Sequence, residues 1–483
     1  MNTINQINRR HFLKNSFLTS AALSLPVHSW AQVKGSSDDI RVAIVGFNGQ
    51  GKGDLEEFRK VPGVRVVALC DVDKEVLERE AKKFKDRNEP IETYTDVRKL
   101  LENKNIDAIS TATPNHWHAL ISIWAMQAGK DVYVQKPVSH NVSEGRRMVE
   151  AARKYKKIVQ AGTQSRSSSG LREAVEWVRA GNIGKIIVSR GICYKPRVSI
   201  GKVTMPLQIP ATIDYDLWCG PAAKVPIMRS KLHYDWHWIW NTGNGDLGNQ
   251  GVHEMDVARW FLGEMELPPR TFAVGGRFGY IDDGETPNTM VIYHDYAEAP
   301  LLFELRGLPE KAGAKDMDKY KGTKIGVVVE CEGGYVVVSS YSKATAFDKD
   351  GKELKQFEGS ENHKISFIKA MRSRKTSDLT ADILEGHLSS ALCHTGNISY
   401  RLGKTSSRDE ITDAVKNQKK VGETLARVEQ HLAANLVDFQ QTPAKLGVVL
   451  NINPKTERFV DNEEANHLLT REYRKPFVVP EKV

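Results

Sequence analysis

From residue 40 onward, short apolar runs alternate with stretches of helical periodicity. Ile40-Arg41-Val42-Ala43-Ile44-Val45 is an apolar strand that stops at Gly46. Residues 64–70, 106–110, 131–134 and 158–161 repeat the pattern, with helical stretches such as 74–85 and 143–156 between them. Ser143-Glu144 makes a reasonable helix start. Strands alternating with helices at this spacing predict a parallel, doubly wound sheet, so the N-terminal part is expected to be an α/β Rossmann domain. Further strands are expected through 271–348, including 324–331 and 334–338, and helices over 363–374 and 384–402. Residues 403–483 read as a helical appendage followed by an extended arm of the kind that wraps a neighbouring subunit.

The loop after the first strand is Gly46-Phe47-Asn48-Gly49-Gln50-Gly51. Set against G-x-G-x-x-G, Gly46 and Gly51 take the first and third places and Asn48 the second. Asparagine tolerates positive φ better than most residues, and Gly49 beside it can supply the close backbone approach. A strand precedes this turn, a helix follows, and Asp71 ends the second strand about 20 residues later, where a carboxylate accepts hydrogen bonds from ribose hydroxyls. That carboxylate repels a 2′-phosphate, so NAD is expected rather than NADP.

Residues 1–31 change the picture of where such a domain works. Arg9-Arg10-His11-Phe12-Leu13-Lys14 precedes a short, weakly apolar stretch, and Ser29-Trp30-Ala31 fits a small-x-Ala cleavage site. The expectation is a twin-arginine signal peptide, a linker over 32–39, and a periplasmic or secreted protein exported folded by the twin-arginine machinery with its cofactor inside. The apolar run falls short of the roughly 18 residues a membrane anchor needs, so no stable membrane insertion is expected. The chain has 483 residues and a formal charge of +9, of which the leader supplies three. Lysines and arginines are interspersed with acids and no reader motif is recognised, so nucleic acid is not an expected partner. The five cysteines have no CxxC spacing and read as buried thiols. His116 and His118 are two apart and cannot share a helix face, and no zinc-ligand spacing occurs, so no metal is expected.

Three segments together carry a resemblance. Thr113-Pro114-Asn115-His116-Trp117-His118, then Gly129-Lys130-Asp131-Val132-Tyr133-Val134-Gln135-Lys136-Pro137, and later Gly245-Asp246-Leu247-Gly248-Asn249-Gln250-Gly251-Val252-His253-Glu254-Met255-Asp256 resemble the signature motifs of the Gfo/Idh/MocA oxidoreductases. The resemblance spans roughly residues 40–402 and is closest to the exported branch. It implies an NAD-binding Rossmann domain over 40–163 and a substrate and oligomerisation domain over 164–402, an α/β unit with a large, mostly antiparallel open sheet, hence a homo-oligomer. It also implies that Lys136 contacts nicotinamide and substrate hydroxyl, that His253 is the general base, and that Thr113 and Asn115 lie against the cofactor. Asn115, at the start of the helix after the third strand, reads as its N-cap. Gln135 stands where the family has glutamate and Asn249 where it has aspartate. Asn249, His253 and Asp256 share a face if this segment is helical, so Asp256 is the acid left to act on His253.

Other candidates follow from position. Gln164 and Arg166 sit where the chain crosses into the second domain. Residues 233–240 hold three tryptophans, and on a strand Tyr234, Trp236, Trp238 and Trp240 would line one face, either as a core ladder or as a sugar-stacking wall. Lys195 is a further pocket cation or a loop lysine, and His394 a weaker site candidate. The expected protein is an exported, NAD-dependent oxidoreductase moving hydride between a sugar or glycoside carbon and a tightly held nicotinamide. The alternatives are a redox-neutral, NAD-dependent glycosidase and a non-catalytic sugar-binding protein.

Overall fold

The computed structural model describes residues 39–483, so the leader and nearly all of the linker lie outside the described residues. Six strands form the first sheet: β1 (Ile40–Val45), β2 (Val64–Cys70), β3 (Glu92–Tyr94), β4 (Ala108–Thr111), β5 (Asp131–Val134) and β6 (Val159–Ala161). Their order is β3-β2-β1-β4-β5-β6, and every neighbouring pair is parallel. The chain reverses its direction of winding between β1 and β4, and ligands of such sheets bind at the carboxyl ends of the strands beside that point. Strand β3 left no apolar signature because Glu92 and Thr93 are exposed at the sheet edge. The helices Lys74–Asp86 and Val142–Lys154 lie where periodicity put them. The second starts differently: Asn141, not Ser143, caps it by accepting the Glu144 amide at 2.9 Å.

The second sheet runs β14-β13-β12-β11-β7-β10-β9-β8-β16-β15, from β7 (Ile186–Tyr194), β8 (Arg270–Gly276), β9 (Thr289–His294), β10 (Leu301–Arg306), β11 (Ile325–Cys331), β12 (Gly334–Ser340), β13 (Lys343–Asp348), β14 (Glu353–Glu358), β15 (Lys404–Thr405) and β16 (Lys445–Leu446). Strands β7 and β10 are parallel, and the remaining pairs are antiparallel. Side chains alternate across a strand, and β8 uses both faces. Ala273 joins the core under the helices Ser169–Arg179, Val252–Leu262 and Ile383–Leu402, whereas Phe272 and Val274 pack with Val421, Leu425, Val428 and Leu432 of the helix Lys419–Ala434. The appendage therefore covers part of the second face of its own sheet, over β7 to β10.

The C-terminal arm also stays with its own chain. β17 (Leu450–Asn453) pairs with the β8 edge, and the last residues return to the first domain. Phe477 wedges against Trp117 and Trp124, with ring centroids 5.4 and 6.4 Å away, and such aromatic pairs add about 0.5–1.5 kcal/mol each beyond area burial. Phe477 and Val479 are buried with the core of the first domain. The helix His363–Ser373 also joins the first domain, placing Phe367, Ile368 and Met371 in the core beneath β1 and β2. All five cysteines are buried free thiols. Among the described residues no helix is long and apolar enough to cross a membrane.

Candidate functional site

A cleft of about 500 Å³ opens at the carboxyl ends of β1, β2, β4 and β5 and is closed on its far side by the second domain. Its floor is the glycine turn. Gly46 has φ +74°, and a Cβ there would stand 2.8–2.9 Å from Thr113, while one on Gly51 would stand 2.1 Å from the Gly46 carbonyl oxygen. Both positions therefore need glycine for backbone packing. Gly49 is different, because a Cβ there meets nothing within 4 Å and its bare backbone faces the cleft. Asn48 lies at the exposed rim, where its Oδ1 accepts from Arg79 at 3.1 Å. The helix Gln50–Arg59 begins directly behind the turn, so its free amide groups face the same space.

Asp71 follows β2 and lines the cleft. Its carboxylate accepts the amides of Phe47 and Asp73 at 3.2 and 3.1 Å. Burial raises its pKa, opposed by those two hydrogen bonds. This is a fixed acceptor placed for a ribose diol beside a glycine turn with room for a pyrophosphate. Thr113 and Asn115 complete the wall after β4. Asn115 is not the N-cap: that position is Pro114, with no side-chain cap, because the Asn115 amide is drawn across to Asn244 Oδ1 at 2.9 Å.

Gln135 and Lys136 close β5. The Gln135 Nε2 donates to both oxygens of Asp54, at 3.0 and 2.9 Å, and Lys364 Nζ donates to the same carboxylate at 2.7 Å. The missing family acid is thus accounted for: a carboxylate already stands in the next layer, and an amide donor faces it. Lys136 Nζ donates to the Asn249 carbonyl at 2.9 Å. Burial first, and then the charge of Lys195, lower its pKa to about 8.

The facing wall comes from the π-helical turn Leu247–Gly251 and the helix Val252–Leu262. Irregular π turns of this kind concentrate at functional sites. Lys195, just past β7, lines the cleft and donates to Gln250 Oε1 at 2.8 Å, while Gln250 Nε2 donates to Glu254 Oε1 and Tyr341 Oη, both at 3.1 Å. Burial pushes Glu254 up to about 8. His253 lies one layer behind this wall. Its ring packs against Tyr341 at 5.0 Å between centroids, its Nδ1 is buried without a partner, and burial together with Lys136 and Lys195 holds its pKa well below the usual histidine range.

Asp256 is not a substrate contact. It is fully buried, held by Arg166 Nε at 2.8 and 3.0 Å and by Ser389 Oγ at 2.7 Å. The helix rotates it away from the cleft, and it ties the helix Val252–Leu262 to Arg166 and Ser389. Arg166 is consumed in the same network, which also includes Glu385 at 2.9 Å. Gln164 sits beside Tyr133 rather than on the cleft wall. His394 is buried away from the cleft, with Nε2 on the Ser139 carbonyl at 3.1 Å.

The aromatic segment is a 3₁₀ turn, Asp235–Trp238, not a strand. A period near three separates the tryptophans that alternation would have aligned. Trp236 lines the cleft and stacks on His237 at 3.6 Å, whereas Trp238 is buried under the Arg197 guanidinium, 5.2 Å from its ring centre. Tyr234 and His237 join the wall. Tyr341, Gln250 and the Arg197–Asp246 pair, held at 2.5 and 2.8 Å, were not anticipated. Tyr341 arrives from a turn between β12 and β13, and no local pattern reveals that. Among the described residues, no group of His, Cys, Asp and Glu could hold a metal ion.

Residues 40–163 match the Gfo/Idh/MocA oxidoreductase family with its NAD-binding Rossmann fold. Residues 171–296 and 404–479 match that family's C-terminal alpha/beta domain. A "Glycosyl hydrolase family 109 protein" of Shewanella pealeana is 30% identical over 174 residues, 32% of this chain and 38% of that protein. Two solved structures share the fold. The WlbA dehydrogenase of Bordetella pertussis, crystallised with NADH and UDP-GlcNAcA, has a TM-score of 0.54 at 19% identity, covering 73% of this chain and 94% of that one. An oxidoreductase domain protein of Kribbella flavida has a TM-score of 0.57 at 16% identity, covering 74% and 96%.

Proposed function

The chain belongs to the Gfo/Idh/MocA oxidoreductase family, and we propose that it moves hydride between a hydroxyl-bearing carbon of a sugar or glycoside and a tightly held NAD. The observation that carries this reading is Lys136. It is a largely buried cation at the end of β5 that faces the cleft between the glycine turn and the second domain. A nicotinamide cofactor, when bound, supplies the hydride acceptor. Gly46, Asn48, Gly49 and Gly51 leave space for its phosphates, and Asp71 offers the carboxylate that favours NAD over NADP. Lys136 holds the reacting hydroxyl, where a cation stabilises the negative charge that develops on oxygen. Lys136 is the base that lines the cleft, and His253 stands one layer behind it against Tyr341. Trp236 gives a flat apolar face for sugar C–H groups, and Asn249 and Lys195 offer polar contacts beside it.

A second reading is the redox-neutral glycosidase, in which oxidation, elimination of the aglycone, addition of water and return of the hydride follow one another. The relative named as a glycosyl hydrolase supports it. Export by the twin-arginine route, read from Arg9 and Arg10, supports both, because a periplasmic enzyme with one captive nucleotide must close its own redox cycle. A homo-oligomer is part of this reading. Light scattering tests that, and fractionation with a twin-lysine leader tests the export route.

The deciding experiment identifies the nucleotide that co-purifies, then follows reduced-nicotinamide absorbance while sugars and aryl glycosides are added. Absorbance that rises without aglycone release marks an oxidation half-reaction. Aglycone release without net absorbance change marks the glycosidase. A nucleotide-bearing protein that does neither with any member of the panel is a sugar-binding protein, and the enzyme reading fails.

A further inference from the structure

Two lysines line the cleft, one from each domain, and neither is paired with a carboxylate. Lys136 Nζ donates to the carbonyl of Asn249 and Lys195 Nζ to the side chain of Gln250. These anchors are consecutive residues of the π turn, so one backbone irregularity holds both ammonium groups over the same space. The acids nearby are engaged elsewhere. Asp246 is gripped by Arg197, Asp54 is held by Lys364 and Gln135, and Glu254 accepts from Gln250 and keeps its proton to about pH 8. The imidazoles that face Lys136 bring no charge near neutrality, because burial keeps His118, His237 and His253 neutral.

We propose that Lys195 is the companion cation that poises Lys136 as a free amine, so that Lys136 rather than His253 takes the substrate's hydroxyl proton. The proposal rests on the oxidoreductase reading above. In the step, the lone pair of Lys136 Nζ takes the hydroxyl proton and the O–H electron pair becomes the second bond of C=O. The C–H pair leaves as hydride to the nicotinamide. Lys136 ends as an ammonium hydrogen-bonded to the carbonyl product. Geometry favours Lys136, which lines the cleft, over His253, which lies behind Tyr341. Two like charges over one cleft disfavour double protonation, in keeping with the lowered pKa of Lys136, to which burial contributes first and Lys195 next. Lys195 is then a positioning residue that acts through its neighbour.

The test needs a readout other than turnover. Competitive acylation of the purified, nucleotide-bearing protein, mapped by mass spectrometry, gives the reactivity of the Lys136 amine against pH. The expected midpoint lies near pH 8. In Lys195→Met it moves up by about one unit, so that labelling below the midpoint falls about tenfold, while Lys195→Arg stays near the parent. The pH profile of kcat/KM for hydride transfer moves with it. An unchanged Lys136 midpoint in folded Lys195→Met overturns the proposal. So does a catalytic profile that stays in place while the labelling midpoint moves, since the proton then goes to another group. If no substrate reduces the nucleotide, the oxidoreductase reading falls and the proton transfer with it, whereas the labelling shift still reports whether the two lysines are coupled.

Discussion

Gln135→Glu restores the acid usual in the family and should destabilise this protein. Gln135 Nε2 stands 2.9 and 3.0 Å from the two Asp54 oxygens. A carboxylate in that place would meet Asp54 at roughly 3 Å, a repulsion of about 5 kcal/mol at an effective dielectric of about 20. Lys364 is already neutralised by Asp54 at 2.7 Å, so it offers little relief. The cheaper course is for the new glutamate to keep its proton. From an unfolded pKa of about 4.3, that costs roughly 1.4 kcal/mol per pH unit, or about 3.7 kcal/mol at pH 7. Losing one of two charge-assisted hydrogen bonds adds about 1 kcal/mol more. The sign follows from linkage. A carboxyl whose folded pKa is raised loses stability as pH climbs from the unfolded to the folded value. Urea unfolding of parent and variant between pH 4 and pH 8 should therefore give curves that nearly meet in acid and part steadily above it. A difference at pH 7 under about 1 kcal/mol, or one that does not vary with pH, refutes the reasoning. Adding Asp54→Asn to Gln135→Glu should cost less than the two single changes together, because the repulsion belongs to the pair.

Four other outcomes are expected. Gly51→Ala must displace the Gly46 carbonyl, 2.1 Å from the added carbon, and should lower thermal stability and nucleotide affinity together. Gly49→Ala has open space before it and replaces the glycine N-cap of the helix Gln50–Arg59, so it should lower the melting temperature less than Gly51→Ala while weakening nucleotide binding, as read by calorimetric titration. Asp256→Asn leaves Arg166 and Arg259 with Glu385 as their acidic partner and should cost about 3–5 kcal/mol in urea unfolding, while any turnover keeps its KM. Glu254→Gln removes an acid held at about 8, so its stability gain should be absent near pH 4.5 and grow by at most roughly 1.4 kcal/mol per unit up to about pH 8. A gain already present in acid would argue against that assignment.

The sequence by itself determined the first domain. Strand lengths, the Gly46 and Gly51 turn, Asp71 and Lys136 are local features, each fixed by neighbours within one strand–turn–helix unit, and periodicity reads such features directly. It also marked Gln135 and Asn249 as departures from the family pattern. It could not say why they are tolerated, because the answers are tertiary: Asp54 stands across from Gln135, and Asn249 serves Lys136 through its backbone carbonyl. Spacing put His253 and Asp256 on one helix face, but helix rotation and the Arg166–Glu385 network decided that Asp256 belongs to the core and that His253 lies behind Tyr341. Alternation put Trp236 and Trp238 together, and the 3₁₀ turn separated them. The lysine pair is the plainest case. Lys136 and Lys195 lie on different domains, and only a π turn, whose extra residue per turn no hydrophobic period encodes, offers consecutive anchors that set both charges on one cleft.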